Sequence, residues 1–392
     1  IDFKENPKDI NALFEDVNDR EIFFAKLQYI TETQLPRRES VIVFENVQYN
    51  PKARQAIKHL VADGRYDYIE TGTGVGLKEY TKNILIPSEE SKLHMHPMDF
   101  EEFCWSQGVV MLREQIEYIF RREKISNTSL LEKFYLYTVI GGMPEAIAVY
   151  NETHDFLEVE KKKKEIIQII NQHLDEIDRT KKASLIFAAI PAHQQTKTGV
   201  FHINKINESL RLSRQENLIA DMETTGAIIV SHEKEYLDYG WDFKYFFRHI
   251  KMYVFDTGLL ITMSSKDEEY SKIVQDFLLG KIRSEHRYIF QNMVAQILAT
   301  LNKEQNYYAI RDSKSKRLYT IDLMREGSNT LVPIHVNVGQ KSSCHTPLDN
   351  LIKGNRKKIL KSYVVNLHKI NKEDAIRYIP IYALPFILER DK

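Results

Sequence analysis

The sequence has few cysteines, no long apolar run and no net charge. Cys104 and Cys344 are the only two cysteines, which are too few for a disulfide framework or a cysteine-rich zinc cluster. Lys+Arg and Asp+Glu both total 55, and this balance argues against tight non-specific binding to nucleic acid, which usually needs a basic excess. No apolar run reaches the roughly 20 residues of a membrane-spanning helix. We therefore expect a cytoplasmic protein without a membrane span.

A phosphate-binding loop is also missing, because the pattern G-x-x-x-x-G-K-[ST] does not occur in the chain. Residues 72–76 (GTGVG) are glycine-rich but lack a Lys-Ser/Thr pair at the right offset, so they favour a turn after a strand over a phosphate loop. The chain opens at Ile1 instead of a methionine, with residues that resemble the end of a strand running into a loop. We therefore expect that upstream sequence is missing from the N-terminus.

The first part of the chain alternates predicted strands and helices. Apolar runs with β-branched residues predict strands at 40–46, 66–71 and 83–87, and Pro51–Asp63 fits a helix with proline in its first turn. Asp99, with a glutamate three residues later, fits a capping box. Strands that alternate with helices indicate a parallel sheet in an α/β fold.

The middle of the chain is predicted to be mainly helical up to about residue 178. Residues 161–164 are four consecutive lysines, which favour a solvated helix face over a nucleic-acid contact. A helix at 203–210, a second one capped by Ser213 and a strand at 227–230 outline a winged helix-turn-helix. A small helical spacer between two domains explains the same pattern, and the sequence leaves both readings open.

The last part predicts a compact α/β unit with a helix followed by strands. Its predicted elements are a helix at 288–301, strands at 306–310, 318–325 and 331–338, a mostly helical stretch at 348–367 and a strand at 376–381. The length of 392 residues suits two or three domains. We predict domains at 1–150, 151–283 and 284–392.

Several segments resemble, in order, a family of bacterial and archaeal AAA ATPases that carry a C-terminal nuclease-like domain. In that family the Walker B strand ends Phe-Asp-Glu-Ile-Gln and a helix begins near a following proline. The matching segments here are 44–48 (FENVQ) followed by Pro51, 68–73 (YIETGT), 84–90 (ILIPSEE), 96–103 (HPMDFEEF), 141–146 (GGMPEA) and 253–259 (YVFDTGL). The resemblance implies a P-loop NTPase-like parallel sheet with a helical lid, a winged-helix-like connector and a C-terminal α/β nuclease-like domain.

The resemblance implies that ATP and Mg²⁺ serve the intact family member. Glu45 stands where the family has the aspartate that binds Mg²⁺, and Asn46 stands where it has the catalytic glutamate. A neutral amide can orient a water molecule but cannot accept its proton. Thr71 and Thr73 complete the predicted site as catalytic and cofactor-binding residues. We expect weak or no hydrolysis, and no bound cofactor in this chain alone.

The nuclease-like part shows a parallel loss of charged residues. In the family, a glutamate on a helix, an aspartate on a strand and a Glu-x-Lys pair on the next strand form a metal-dependent site. The matching residues here are Gln291, Asp322, His335 and Asn337. Because only Asp322 keeps its charge, we expect no nuclease activity, and Lys341 is a poor substitute for the missing lysine.

Other candidate residues carry weaker signals. His94 and His96 favour surface histidines over metal ligands, Cys104 favours the core, and Asp256 with Thr257 favours a cap and turn over catalysis. The preferred function is an AAA-type ATP-binding protein, degenerate or truncated, that couples nucleotide state to domain arrangement. The alternatives are a non-catalytic pseudoenzyme and a DNA-binding regulator that uses the winged helix. A homo-oligomer and a nucleic-acid or protein partner are compatible with this function.

Overall fold

The structure is a computed structural model of the chain. It describes residues 1–390 except 6, 16, 122–127, 235–248, 302–304, 312–317, 327–329 and 339–345. Lys341, which the sequence indicated to be a poor substitute for the missing nuclease lysine, lies outside the described residues. The chain divides into two compact units, Ile1–Met95 with Ala220–Gly226, and His96–Ile219 with Ala227–Lys392. These units do not test the three predicted domain ranges, which stay a prediction.

The first unit contains a two-stranded parallel sheet and short helices. Its elements are α1 (Pro7–Leu13), α2 (Arg20–Thr31), β1 (Val41–Phe44), α3 (Pro51–Asp63), β2 (Asp67–Glu70) and α4 (Lys78–Thr81). Asn50 caps α3 by accepting a hydrogen bond from the backbone N–H of Ala53, and Gly64 ends the helix in the left-handed region at φ 71°. The strands predicted at 40–46 and 66–71 and the helix Pro51–Asp63 are confirmed.

Aromatic side chains form the core of the first unit. Phe44 is 0% exposed at the end of β1, and its ring contacts those of Phe3, Phe14 and Tyr68. Burying a phenylalanine stabilises a fold by roughly 1.5–3 kcal/mol. This core fixes the carboxyl end of β1, where the predicted nucleotide site begins.

The third predicted strand of the first unit is wrong. Residues 83–87 form a turn and an irregular segment. Leu85 is 81% exposed and Ile86 is 44% exposed, so the apolar run does not pack into a core. A strand needs a hydrogen-bonding neighbour, and the sheet of this unit has the order β1–β2 without a strand from this segment.

The second unit combines a set of helices with an eight-stranded mixed sheet. Its helices are α5 (Phe100–Ser106), α6 (Leu112–Arg121), α7 (Thr128–Ile140), α8 (Pro144–Thr153), α9 (Phe156–Ile177), α10 (Lys182–Gln194), α12 (Thr257–Ser264), α13 (Asp267–Leu278), α14 (Arg287–Thr300), α15 (Thr346–Gly354) and α16 (Leu384–Arg390), while α11 (Glu216–Thr224) spans the division at residue 220. The predicted capping box of Asp99 and Glu102 is confirmed at the start of α5.

The strand order of this sheet is β4-β3-β5-β6-β7-β8-β10-β9. The strands are β3 (Ile228–Glu233), β4 (Ile250–Val254), β5 (Asn306–Arg311), β6 (Leu318–Glu326), β7 (Leu331–Val336), β8 (Ser362–Asn366), β9 (Asn371–Glu373) and β10 (Ile376–Pro380). Strands β7, β8 and β10 are parallel neighbours, whereas β5, β6 and β7 pair antiparallel. The mixed α/β character confirms the coarse fold prediction.

Three details of the sequence prediction need correction in this unit. The helix predicted at 203–210 is a short 3-10 helix at Ile203–Lys205, and the helical stretch predicted at 348–367 ends at Gly354 and is followed by β8. The strand after Ala227 pairs with β4 and β5 in the large sheet, and this pairing does not test the predicted winged helix. The winged-helix connector therefore stays a proposal.

The four-lysine run is the third correction. Lys163 lies on the buried side of α9 and is 0% exposed, and its acceptors belong to α7 and α12. Its Nζ donates to the backbone oxygens of Val139 at 2.9 Å and Gly258 at 3.2 Å. The prediction of a solvated face is therefore wrong for Lys163, while Lys161 and Lys164 are at least half exposed.

Candidate nucleotide and metal sites

The parallel pairing of β1 and β2 brings the predicted nucleotide-site residues to one edge of the sheet. Phe44 is in register with Glu70, so Glu45 and Thr71 follow at the same level. The backbone N–H of Thr71 donates to the oxygen of Phe44 at 2.8 Å, and that of Val47 donates to the oxygen of Thr71 at 3.0 Å. Ligands of parallel sheets bind at the carboxyl ends of strands. Glu45 and Thr71 therefore lie just beyond the carboxyl ends of two paired parallel strands, and their roles stay a prediction.

Asn46 has a conformational role at this edge. Its backbone is left-handed, with φ 56° and ψ 41°, a region that asparagine and aspartate tolerate better than other side chains. Its Nδ2 donates to Oδ1 of Asp2 at 2.9 Å. This hydrogen bond, with a second from the backbone of Lys4, holds the pKa of Asp2 below its usual range. The amide of Asn46 thus already has a partner in the fold.

The oxygen ligands at this edge fit Mg²⁺ only in part. Glu45 is exposed, and a parallel bridge places Asp2 beside it. Thr73 is exposed in the turn that follows β2. Within the described residues, no group of three or more His, Cys, Asp or Glu side chains is arranged to hold a metal ion. Two carboxylates without substrate phosphates leave most of an octahedral Mg²⁺ shell to water.

A buried ion pair beside β2 escaped the sequence analysis. Arg54 is 4% exposed, and its Nε and Nη2 donate to the two carboxylate oxygens of Glu90, each at 2.8 Å, while its Nη1 donates to the backbone oxygen of Val75 at 2.6 Å. Burial, and then the charge of Glu90, raise the pKa of Glu70 to about 7. The burial of Arg54 could have been predicted from its position on α3, because it lies one turn before Ile57 on the side of the helix that faces the core.

The glycine-rich segment after β2 is a turn, as predicted. A Cβ on Gly72 would lie 2.3 Å from Oε1 of Gln48, and Gly74 has φ +63°. Gln48 is only 8% exposed, so it cannot move freely out of the way. These glycines are therefore required by close packing and backbone geometry within the first unit.

In the second unit, the predicted degenerate nuclease residues lie around one buried carboxylate. Asp322 on β6 is 0% exposed. It accepts hydrogen bonds from Nη2 of Arg287 at 2.8 Å to each oxygen, from Nε2 of Gln291 at 2.7 Å and from the backbone N–H of Val336 at 2.8 Å. Nδ1 of His335 lies 3.0 Å from its Oδ2. Although burial opposes it, the positive charge of Arg287, assisted by His335, keeps the pKa of Asp322 well below its usual range.

Two further buried residues are Asn337, directly after β7, and Lys251 on β4, and Lys251 interacts electrostatically with Asp322. Asn337 is 6% exposed and lies two residues beyond His335 along the chain. Lys251 on β4 is 2% exposed, and burial lowers its pKa to about 8, against the attraction of Asp322. Its Nζ lies 3.4 Å from Oγ1 of Thr320 and 4.8 Å from the centre of the Tyr307 ring. Asn337 was predicted from the family-like motif, whereas Lys251 and Arg287 were not.

Two of the family-like motifs pack directly against each other in the second unit. Asp256 caps α12 by accepting from the backbone N–H of Leu259 at 2.9 Å, and it also accepts from Gly142 at 2.7 Å. A Cβ on Gly258 would lie 2.5 Å from Cα of Gly141. The predicted capping role of Asp256 is confirmed. The Gly-Gly-x-Pro-Glu and Asp-Thr-Gly-Leu segments therefore form one structural contact.

The remaining candidates behave as ordinary structural residues. His94 and His96 are exposed, as predicted. Cys104 is 0% exposed, and burial raises the pKa of its thiol to about 12, so its prediction as a core residue is confirmed. In the part of the chain that the structure describes, no helix combines the length and apolarity needed to cross a membrane.

Comparison with known proteins identifies one domain class. Residues 3–104 match a family described as an AAA domain, and this range contains the edge formed by β1 and β2. The match covers well under half of the chain and supports an AAA-type ATPase-like domain in that range. No curated protein matches the sequence.

A solved structure, the crystal structure of protein VC1899 from Vibrio cholerae, is similar over 91% of this chain and 92% of that chain. The sequence identity is 10% and the TM-score is 0.21. At this TM-score the likeness carries no argument about fold or function.

Proposed function

We propose that this chain is an AAA-type ATP-binding protein with weakened hydrolytic chemistry, in which nucleotide state alters domain arrangement. The proposal rests on the edge formed by β1 and β2, where Glu45, Asn46 and Thr71 follow two parallel strands inside the range that matches an AAA domain. Bound Mg²⁺ and ATP would supply the electrophilic phosphorus and its charge neutralisation. Glu45 would offer an oxygen to the cation, and Thr73 a hydroxyl to the nucleotide.

The hydrolytic step lacks two groups in this chain. Asn46 cannot take the proton of an attacking water, and its Nδ2 already donates to Asp2. No Gly-x-x-x-x-Gly-Lys-Ser/Thr loop occurs in the 392 residues to hold the phosphates. We therefore propose that nucleotide binding, if the full natural protein supplies such a loop, is followed by little or no turnover.

The test is a pair of measurements on the full natural protein. Calorimetric titration with ATP, with and without Mg²⁺, should give binding that Mg²⁺ strengthens and that Glu45→Ala weakens, while Glu39→Ala serves as the exposed control just before β1. Steady-state phosphate release should stay near background. Rapid phosphate release that Glu45→Ala abolishes would show intact catalysis and refute the weakened-site proposal.

The variant Asn46→Asp tests the assignment of Asn46 directly. Aspartate tolerates the left-handed backbone at this position, so the exchange adds a carboxylate with little backbone strain, although it replaces the hydrogen bond to Asp2 by a contact between two carboxylates. We expect phosphate release to rise by about tenfold or more if the missing base limits turnover, within the usual range for general-base catalysis. An unchanged rate in a variant that still binds ATP contradicts this role for residue 46.

A non-catalytic pseudoenzyme is the second candidate function. It is favoured by the nitrogen-rich contacts of Asp322, which among the described residues include no second carboxylate of the kind a metal-dependent nuclease uses. Failure of the full natural protein to bind ATP, with or without Mg²⁺, supports this candidate over the first.

A further inference from the structure

Arg287 places its guanidinium against three oxygen atoms in the second unit. Its Nη2 donates to both carboxylate oxygens of Asp322 at 2.8 Å, and its Nε donates to the backbone oxygen of Val336 at 2.9 Å. Carboxylate and carbonyl oxygens are also the ligands that hard divalent cations take. The guanidinium therefore occupies the ligand set on which such a cation would depend.

The other groups around Asp322 give a cation no additional charge. Nε2 of Gln291, the N–H of Val336 and Nδ1 of His335 all present nitrogen atoms to the carboxylate, within 2.7 to 3.0 Å. Asp322 is the one carboxylate among these contacts, and it is 0% exposed. The residues present therefore do not fit a Mg²⁺ or Mn²⁺ centre.

The charge balance of the cluster also disfavours a divalent cation. Arg287 neutralises Asp322, and Lys251, 2% exposed, faces the same carboxylate from β4 with a favourable charge interaction. A divalent cation entering this site would meet one or two fixed positive charges at short range, where repulsion is large in a buried setting. Arg287 also joins α14 to β6 and β7, since its acceptors lie on or at the end of those strands.

We propose that Arg287 replaces a divalent cation at Asp322, so that the cluster is an ionic tie between α14, β6 and β7 that excludes metal. The guanidinium delivers its positive charge from within the chain, and its planar N–H groups match the oxygens that a metal would bridge. Removing Arg287 frees three oxygens and leaves a buried carboxylate without its cation. A second carboxylate beside it would then complete the minimum for a metal centre.

The experiment measures binding of Mn²⁺ alone by electron paramagnetic resonance, in which bound Mn²⁺ loses its free six-line signal. The proteins compared are the wild type, His335→Glu, and the double variant Arg287→Ala with His335→Glu. We expect the double variant to bind Mn²⁺ at least about tenfold more tightly than the other two, because a positive charge is exchanged for an open ligand set. Arg283→Ala with His335→Glu is the matched control, since Arg283 pairs with Asp276 and Glu285.

Two results overturn the proposal. One is Mn²⁺ binding by the wild type that is lost in Asp322→Asn, since the site would then accept metal beside Arg287. The other is a folded double variant, judged by circular dichroism, that binds Mn²⁺ no better than His335→Glu alone. If Arg287→Ala unfolds the protein, Arg287→Gln with His335→Glu fills the same space without the charge and must meet the same expectation.

Discussion

Lys163 provides the sharpest prediction about stability in the second unit. Its ammonium group is 0% exposed, and its hydrogen-bond acceptors are the backbone oxygens of Val139 and Gly258. It also lies 4.9 Å from the centre of the Tyr270 ring. The perturbation is Lys163→Met, which keeps most of the side-chain volume and removes the charge.

The expected magnitude follows from the pKa of Lys163, which burial lowers from 10.5 to about 8. Because the pKa of Lys163 is lower in the folded protein than in the unfolded chain, the unfolded chain binds more protons at pH values between about 8 and 10.5. The free energy of unfolding therefore rises with pH through this window, and the gain is lost again as pH falls through about 8. Between about pH 7 and about pH 9.5, the contribution of Lys163 is a rise of about 2 kcal/mol.

The assay is urea unfolding at those two pH values, followed by far-ultraviolet circular dichroism. The wild type should gain about 2 kcal/mol more than Lys163→Met between the two pH values. At the lower pH the two proteins should be close in stability, because the removed charge and the two unpaired carbonyls oppose each other. Lys251, also with a pKa of about 8, is present in both proteins and cancels from the difference.

The control is Lys162→Met, since Lys162 lies next in the run but pairs with Glu165 at the surface. It should keep the pH dependence of the wild type in this interval. If Lys163→Met shows the same rise as the wild type, the ammonium of Lys163 is not the buried charge that we infer, and the argument from its burial fails.

Two further predictions concern other close contacts. Glu70→Gln should increase the hydrogen-exchange protection of β1 and β2 at pH 8 more than at pH 5, while the control Glu39→Gln should not. The reason is that the folded pKa of Glu70 is raised from 4.5 to about 7, so ionisation of Glu70 lowers the stability as pH rises between these two values. After allowance for partial exposure, this loss is on the order of 1–2 kcal/mol. An equal gain in protection by Glu70→Gln at both pH values would contradict the raised pKa of Glu70. Gly258→Ala should destabilise the protein by about 2 kcal/mol or more, because the new Cβ would lie 2.5 Å from Cα of Gly141. Gly354→Ala meets nothing within 4 Å and should change the melting temperature little, so similar melting temperatures for both variants would refute the close-packing argument.

Much of the candidate nuclease-like cluster was predictable from motif spacing. Gln291, Asp322 and His335 were named from the sequence, and the structure brings all three within hydrogen-bonding distance or close to it. Arg287 was missed, although it lies one helical turn before Gln291 on α14 and so shares its face. The nuclease-like motif showed only which carboxylates were missing, whereas Arg287, the cation that pairs with Asp322, could be found only from its position on the same face of α14 as Gln291.

The sequence by itself determined the elements whose signals are local. The apolar, β-branched run of β1, the cap of α3 at Asn50 and the capping box of Asp99 each depend on residues a few positions apart, so the chain specifies them before any tertiary contact forms. Only the tertiary structure decided that Lys163 is buried, since its acceptors lie 24 and 95 positions away. The same holds for residues 83–87, because an apolar run becomes a strand only where a neighbouring strand offers its hydrogen bonds.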